Sequence, residues 1–201
     1  SERLKSPDVP LVSILPPQAR DPFLEVLGVI NRLRGDDRVG GVLLRVGAIG
    51  ELGHARIEEL RNALADLRTS GKRVVALVMD AEDNEYLLAT AAEKIYAVPQ
   101  ATFLVNGYSA SSTFLAGALD KLGVTVDVAR VGAYKNAPDQ YTRTDMSAEQ
   151  REVLSEFLDG LYGRYVAAVS RARGLQPQRF SEILSQGILS ADAALKAGLV
   201  D

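Results

Sequence analysis

The strongest constraint on this chain is its alternation of short apolar runs with segments of helical periodicity. Val9–Leu15 is an apolar run stopped by Pro16 and Pro17, which predicts a first strand. Asp21 is placed to cap a helix with Pro22 at its first position, and Phe23, Val26, Leu27, Ile30 and Leu33 follow at helical spacing. Gly35 closes that helix. Gly40–Val46 predicts a buried strand, then come a loop spaced by Gly47, Gly50 and Gly53 and a helix over Ala55–Ser70. Arg73–Met79 predicts a third strand ending in a polar elbow, Asp80–Asn84. Tyr86–Ala92 reads as a helix rich in small residues, and Ile95–Val98 as a fourth strand closed by Pro99. A helix over Ser111–Leu122 and a strand over Val124–Arg130 follow. After a loop at Val131–Asp145, Ser147 and Gln150 form a capping-box pair at the head of a long helix. Two short helices finish the chain, the last over Ala191–Ala197. Repeated strand–helix units with right-handed crossovers predict one α/β domain over residues 1–201, a mostly parallel sheet covered by helices on both faces.

Composition narrows what such a domain can do. The chain has no cysteine, which excludes disulfide scaffolds, thiolate metal sites and a cysteine nucleophile. Its one histidine, His54, cannot by itself supply a multi-histidine metal site. The formal net charge of −3 gives no electrostatic footprint for nucleic acid or anionic lipid. No stretch approaches the ~20 consecutive apolar residues of a membrane-spanning helix. The chain starts at Ser1 without an initiator Met, as expected of a processed or excised chain, so a membrane anchor is expected only outside it.

In open α/β sheets ligands gather at the carboxyl ends of the strands. Four segments are expected there: the loop Gly47–Gly53, the elbow Asp80–Asn84, the turn Gln100–Gly107 and the loop Val131–Asp145. The last holds Lys135, just past a predicted strand and a glycine turn. A lysine there is either solvated surface or a general base, and spacing alone leaves both open. The second role requires burial to bring its pKa down from ~10.4, with Ala133, Tyr134 and Ala137 as candidate apolar walls. His54 reads as a solvated or hydrogen-bonded side chain, and Ser109, Ser111 and Ser112 as turn and capping residues. Glu82 and Asp83 read as a solvated elbow in preference to a metal site. Gly47, Gly50 and Gly53 do not form a dinucleotide fingerprint, and Tyr86, Tyr96, Tyr134, Tyr162 and Tyr165 are expected in the core or in subunit contacts.

The stretch Val124–Pro138, with Gly132-Ala133-Tyr134-Lys135 at its centre, and Arg143–Ser147 resemble the signal peptide peptidase A (protease IV) family. Lys72–Ala76, Tyr86–Tyr96, Leu115–Val124 and Ile188–Asp201 resemble further segments of that family in the same order. The resemblance implies a ClpP/crotonase-like fold with a carboxy-terminal helical extension. It also implies a serine peptidase with a Ser–Lys dyad, in which Lys135 takes the general-base position and neither metal nor organic cofactor is needed.

Two departures go with it. Single-domain members carry the nucleophilic serine about fifty residues before the lysine, where this chain has Asp83. Where they have a Ser-Pro-Gly-Gly-type oxyanion turn, this chain has Val46–Gly50. Long members duplicate the domain, and this sequence resembles their amino-terminal, lysine-bearing copy. The implied protein is a bacterial, membrane-associated endopeptidase acting on remnant signal peptides, anchored by a segment not present here. The implied partners are the peptide, the serine-bearing carboxy-terminal half, and further copies in a homo-oligomer. Two alternatives are a catalytically silent assembly or substrate-holding module and a crotonase-like acyl-CoA enzyme.

Overall fold

The computed structural model describes residues 21–201 apart from Glu51, Arg130 and Ala133. The strand expected at Val9–Leu15 lies outside the described residues. Asp21 caps α1 (Pro22–Arg34) as expected, its Oδ1 accepting a hydrogen bond from the Phe23 amide at 3.0 Å. β1 (Gly41–Val46) leads through the glycine loop to α2 (His54–Thr69), which buries Ile57, Leu60, Leu64 and Leu67 along one face. β2 (Arg73–Val78) pairs in parallel with β1, from Gly41 against Arg73 to Val46 against Val78. A Cβ on Gly41 would stand 2.7 Å from the Arg73 carbonyl oxygen, so only glycine fits that first rung.

The elbow after β2 is partly ordered. Ala81–Glu82 forms β3, and α3 (Asp83–Ala89) starts three residues before the predicted helix. β4 (Lys94–Ala97) adds to β2 in parallel. The expected turn Gln100–Gly107 contains a further strand, β5 (Thr102–Leu104), which pairs in parallel with β3. Its other edge takes β6 (Ile188–Ser190) in antiparallel register.

Three of the four pairings are parallel, as expected, but the one sheet expected is corrected to two three-stranded sheets, β1-β2-β4 and β3-β5-β6, with one antiparallel pair and flanking helices. Strands of two or three residues have too little periodicity to show in sequence and exist through their pairing. The strand expected at Val124–Arg130 is a second correction. Residues 124–129 pair with no strand among the described residues, and α4 (Ala116–Lys121) is shorter than the predicted helix.

A one-turn helix, α5 (Asp139–Thr142), precedes α6 (Ala148–Arg173). The Ser147 hydroxyl caps α6 by accepting from the Gln150 amide at 3.1 Å. The Gln150 side chain does not close the box; it donates to the Ser112 hydroxyl at 3.1 Å. α6 ends at Gly174, whose φ of 67° is the left-handed conformation that glycine adopts without strain. α7 (Pro177–Leu184) and α8 (Ala191–Lys196) then return the chain to the core. There the fully buried Tyr86 hydroxyl donates to the Leu199 carbonyl at 2.7 Å. Tyr165 is equally buried, while Tyr96 and Tyr134 are exposed.

Candidate functional site

Three of the four segments expected at the strand ends meet. A cleft of about 250 Å³ is lined by Gly50, by Glu82 to Glu85, and by Leu104 with Asn106 to Ser109. Its floor is the amino end of α3, where the helix dipole favours acidic side chains. Two carboxylates of that first turn, Asp83 and Glu85, are buried, which corrects the expectation of a solvated elbow for Asp83; Glu82 alone is exposed.

Each buried carboxylate is spent on a backbone amide. Asp83 Oδ1 accepts from the Gly107 amide at 3.1 Å, and Glu85 Oε1 from the Ile49 amide at 3.1 Å. Burial raises the Asp83 pKa above the ordinary carboxylate value. The Gly107 amide, Tyr165 and the Asn106 amide oppose that rise, and neighbouring Glu82 adds to it. The fully buried Tyr165 hydroxyl is near enough for it and Asp83 to shift each other, yet it forms no hydrogen bond of good geometry. Tyr108 is pushed up to about 12 by burial first and then by Asp83 and Glu58. Gly107 has a φ of 88°, and a Cβ there would lie 3.4 Å from the Tyr162 ring.

The fourth segment lines a second cleft of about 440 Å³, where Asn136, Ala137 and Gln140 face Ser111 to Phe114 and Gln150. Capping by Ser111 and Ser112 is overturned, because α4 starts only at Ala116 and has no side-chain cap. Ser112 instead fixes the head of α6 through Gln150. Lys135 is exposed on this loop, its amide donating to Gly132 O at 3.4 Å. Tyr134, expected as an apolar wall, is exposed and donates its hydroxyl to Glu152 at 3.0 Å. His54 is the first residue of α2, with its ring edge-on to Tyr108 at 6.0 Å. Among the described residues no group of three or more His, Cys, Asp or Glu side chains is arranged to hold a metal ion.

Sequence reasoning missed Glu85 and Gly107. The available signal for Glu85 was an acid in the first turn of a segment otherwise built of Tyr, Leu and Ala, where every neighbour is destined for the core. Gly107 carried no comparable signal.

The comparisons with known proteins agree with a peptidase. Serine protease SPPA, chloroplastic, of Arabidopsis thaliana is 32% identical over 165 residues, covering 82% of this chain and 24% of that protein. Protease 4 of Salmonella typhi is 30% identical over 187 residues, covering 89% of this chain and 30% of that protein. The chain thus spans about a quarter to a third of the length of these relatives. Among solved structures, an enoyl-CoA hydratase/isomerase family protein from Silicibacter pomeroyi overlays with a TM-score of 0.48 at 21% identity, over 89% of this chain and 62% of that one. These relatives put the chain among serine peptidases. Residues 66–201, more than half of its length, match peptidase family S49, and the chain belongs to that family.

Proposed function

We propose that this chain is the lysine-bearing half of a membrane-associated bacterial serine endopeptidase of the ClpP/crotonase type, which degrades remnant signal peptides. Lys135 is its general base, and the serine nucleophile and oxyanion hole come from a carboxy-terminal half of the same protein. The carrying observation is that the buried carboxylates of this chain's own cleft are already engaged. Asp83 stands where a nucleophile is expected and is tied to Gly107, while the loop in the oxyanion position has its Ile49 amide tied to Glu85. These two bonds support a nucleophile and an anion-binding amide supplied from elsewhere, with Lys135 on an exposed loop that a second unit can cover.

Covering that loop supplies the desolvation that a neutral lysine requires. Lys135 then takes the proton of the serine hydroxyl, and the oxygen attacks the scissile carbonyl. The proton passes to the leaving amine as the acyl-enzyme forms, and Lys135 next activates water to release the acid. The relatives' partial coverage supports a larger protein around this chain. Among the described residues no helix is long and apolar enough to cross a membrane, so membrane attachment falls to another segment.

The test is peptidase turnover of the longest natural form of the protein with Lys135→Ala and Lys135→Arg, each checked for folding. Both variants are expected to lose at least ~100-fold in turnover, and the 201-residue chain alone is expected to be inactive. Undiminished turnover by Lys135→Ala rejects the assignment. A second reading, a silent substrate-holding or assembly module, is favoured by the same two tied carboxylates; absence of turnover in the longest natural form supports it.

A further inference from the structure

The chain carries a net charge of −3, yet one groove on its surface is strongly basic. The groove holds about 480 Å³ between α2 and α6, and four arginines line it: Arg61 and Arg68 from α2, Arg164 and Arg171 from α6. On each helix the two are seven residues apart, so they share a face and stand ~10 Å apart along the axis. Alanines such as Ala65 and Ala168 line the space between the two rows and leave it open. Like charges held this close repel unless something negative lies between them. Among the described residues Glu58 is the one carboxylate lining the groove, and both its oxygens accept from Arg61 Nη1, at 3.0 and 2.9 Å. Three guanidiniums are left in surplus.

The donors of that surplus are largely unspent. Arg68 Nη1 donates to the Ala91 carbonyl at 3.1 Å, a neutral acceptor. Arg164 and Arg171 make no hydrogen bond or ion pair among the described residues. Arg61 Nε is buried and has no partner there either, a donor whose desolvation the chain itself does not offset. Beyond Arg68 the positive side continues, because an adjoining hollow adds Lys72 and Arg73 against Glu93. We infer that the α2–α6 groove binds an oligophosphate, a ligand with two or more phosphoryl groups. A guanidinium presents paired N–H donors that match phosphate oxygens, and arginines on two sides let one phosphoryl group take two such forks. The ~10 Å length of each row gives room for a second phosphoryl group. A single carboxylate would leave most of the surplus unmet. The same chemistry is offered by a free oligophosphate and by a multiply phosphorylated lipid headgroup. The inference does not depend on the peptidase reading, and its test reads binding only.

The experiment is calorimetry of the 201-residue chain with inorganic pyrophosphate, beside flotation with phosphatidylcholine vesicles that carry or lack phosphatidylinositol bisphosphate. Saturable pyrophosphate binding that weakens as salt rises is expected, with inorganic sulfate binding more weakly. Arg164→Gln/Arg171→Gln, checked for folding by circular dichroism, is expected to bind at least ~10-fold less tightly. Arg61→Lys keeps the charge but loses the fork and is expected to weaken binding as well. Arg151→Gln/Arg179→Gln removes the same charge from helix surfaces outside the groove and is expected to bind like wild type. Capture by the bisphosphate vesicles alone, lost in Arg164→Gln/Arg171→Gln, supports the inference with a lipid headgroup as the source. No saturable binding of either probe, or equal weakening by the pair outside the groove, overturns it.

Discussion

The Glu85 carboxylate and the Ile49 amide are joined by a hydrogen bond of 3.1 Å between residues 36 apart in sequence. This bond pins the loop after β1 to the head of α3, so the loop's conformation is set by a side chain from another unit of the fold. Glu85→Ala leaves that amide without its partner and is expected to destabilise the protein by about 1–3 kcal/mol, with Glu85→Gln recovering most of the loss. Urea unfolding measures both, and hydrogen exchange at Ile49 should speed up in the alanine variant. Equal midpoints for wild type and alanine would show that other contacts hold the loop.

Asp83 makes stability depend on pH. Its pKa is raised in the folded protein, chiefly by burial, so folding favours its protonated form. The stability tied to that proton is complete below the unfolded value and is lost as pH rises through the folded one. Asp83→Asn removes the buried charge and keeps an acceptor for Gly107. The variant is expected to gain stability relative to wild type between pH 4 and pH 7, and to match it near pH 3. Thermal midpoints at the two ends of that range suffice; a constant difference across it refutes the account.

Gly107 holds the other end of the Asp83 bond in a backbone conformation with φ of 88°. An alanine there pays the left-handed penalty and presses its Cβ toward Tyr162. Gly107→Ala is expected to cost about 1–2 kcal/mol, and the displaced amide should move the Asp83 pKa further up. Carboxyl titration by NMR alongside denaturant unfolding separates the two effects.

How far the sequence foretold this arrangement depends on the range of the interaction. Helix signals are local, and Asp21 before Pro22 and Ser147 before Gln150 mark the starts of α1 and α6 where the structure has them. β1, β2 and β4 carry enough apolar residues to stand out. β3, β5 and β6 do not, because two or three residues become a strand only when a partner from a distant part of the chain lies alongside. Val124–Val128 shows the converse: it alternates like a strand and lacks a neighbour among the described residues. The same logic governs the cleft. Its three segments were predictable from strand ends, while the Glu85–Ile49 and Asp83–Gly107 bonds join positions with no shared local pattern.

Asp201 closes the fold with a network whose pH dependence runs the other way from that of Asp83. Its carboxylate accepts from Lys94 Nζ at 2.8 Å, the Ile95 amide at 2.9 Å and Arg173 Nη1 at 3.0 Å, and its own amide donates to Ile95 O at 2.7 Å. Burial alone would raise its pKa, but Lys94, the Ile95 amide and Arg173 together hold it well below the ordinary value of 3.8. A lowered folded pKa means that the unfolded chain binds the proton more readily. The contribution is therefore complete above the ordinary aspartate range and fades as pH falls through and below it. Solvent reaches this carboxylate, whose side chain is 21% exposed, so the effect is modest, about 1 kcal/mol. Asp201→Asn is expected to lose that amount at pH 7 and to flatten the acid limb of the stability profile between pH 4 and pH 2. Urea midpoints measured across that window decide it: parallel acid limbs for variant and wild type would mean that the chain end docks through Tyr86 and Leu199 without help from the ion pairs.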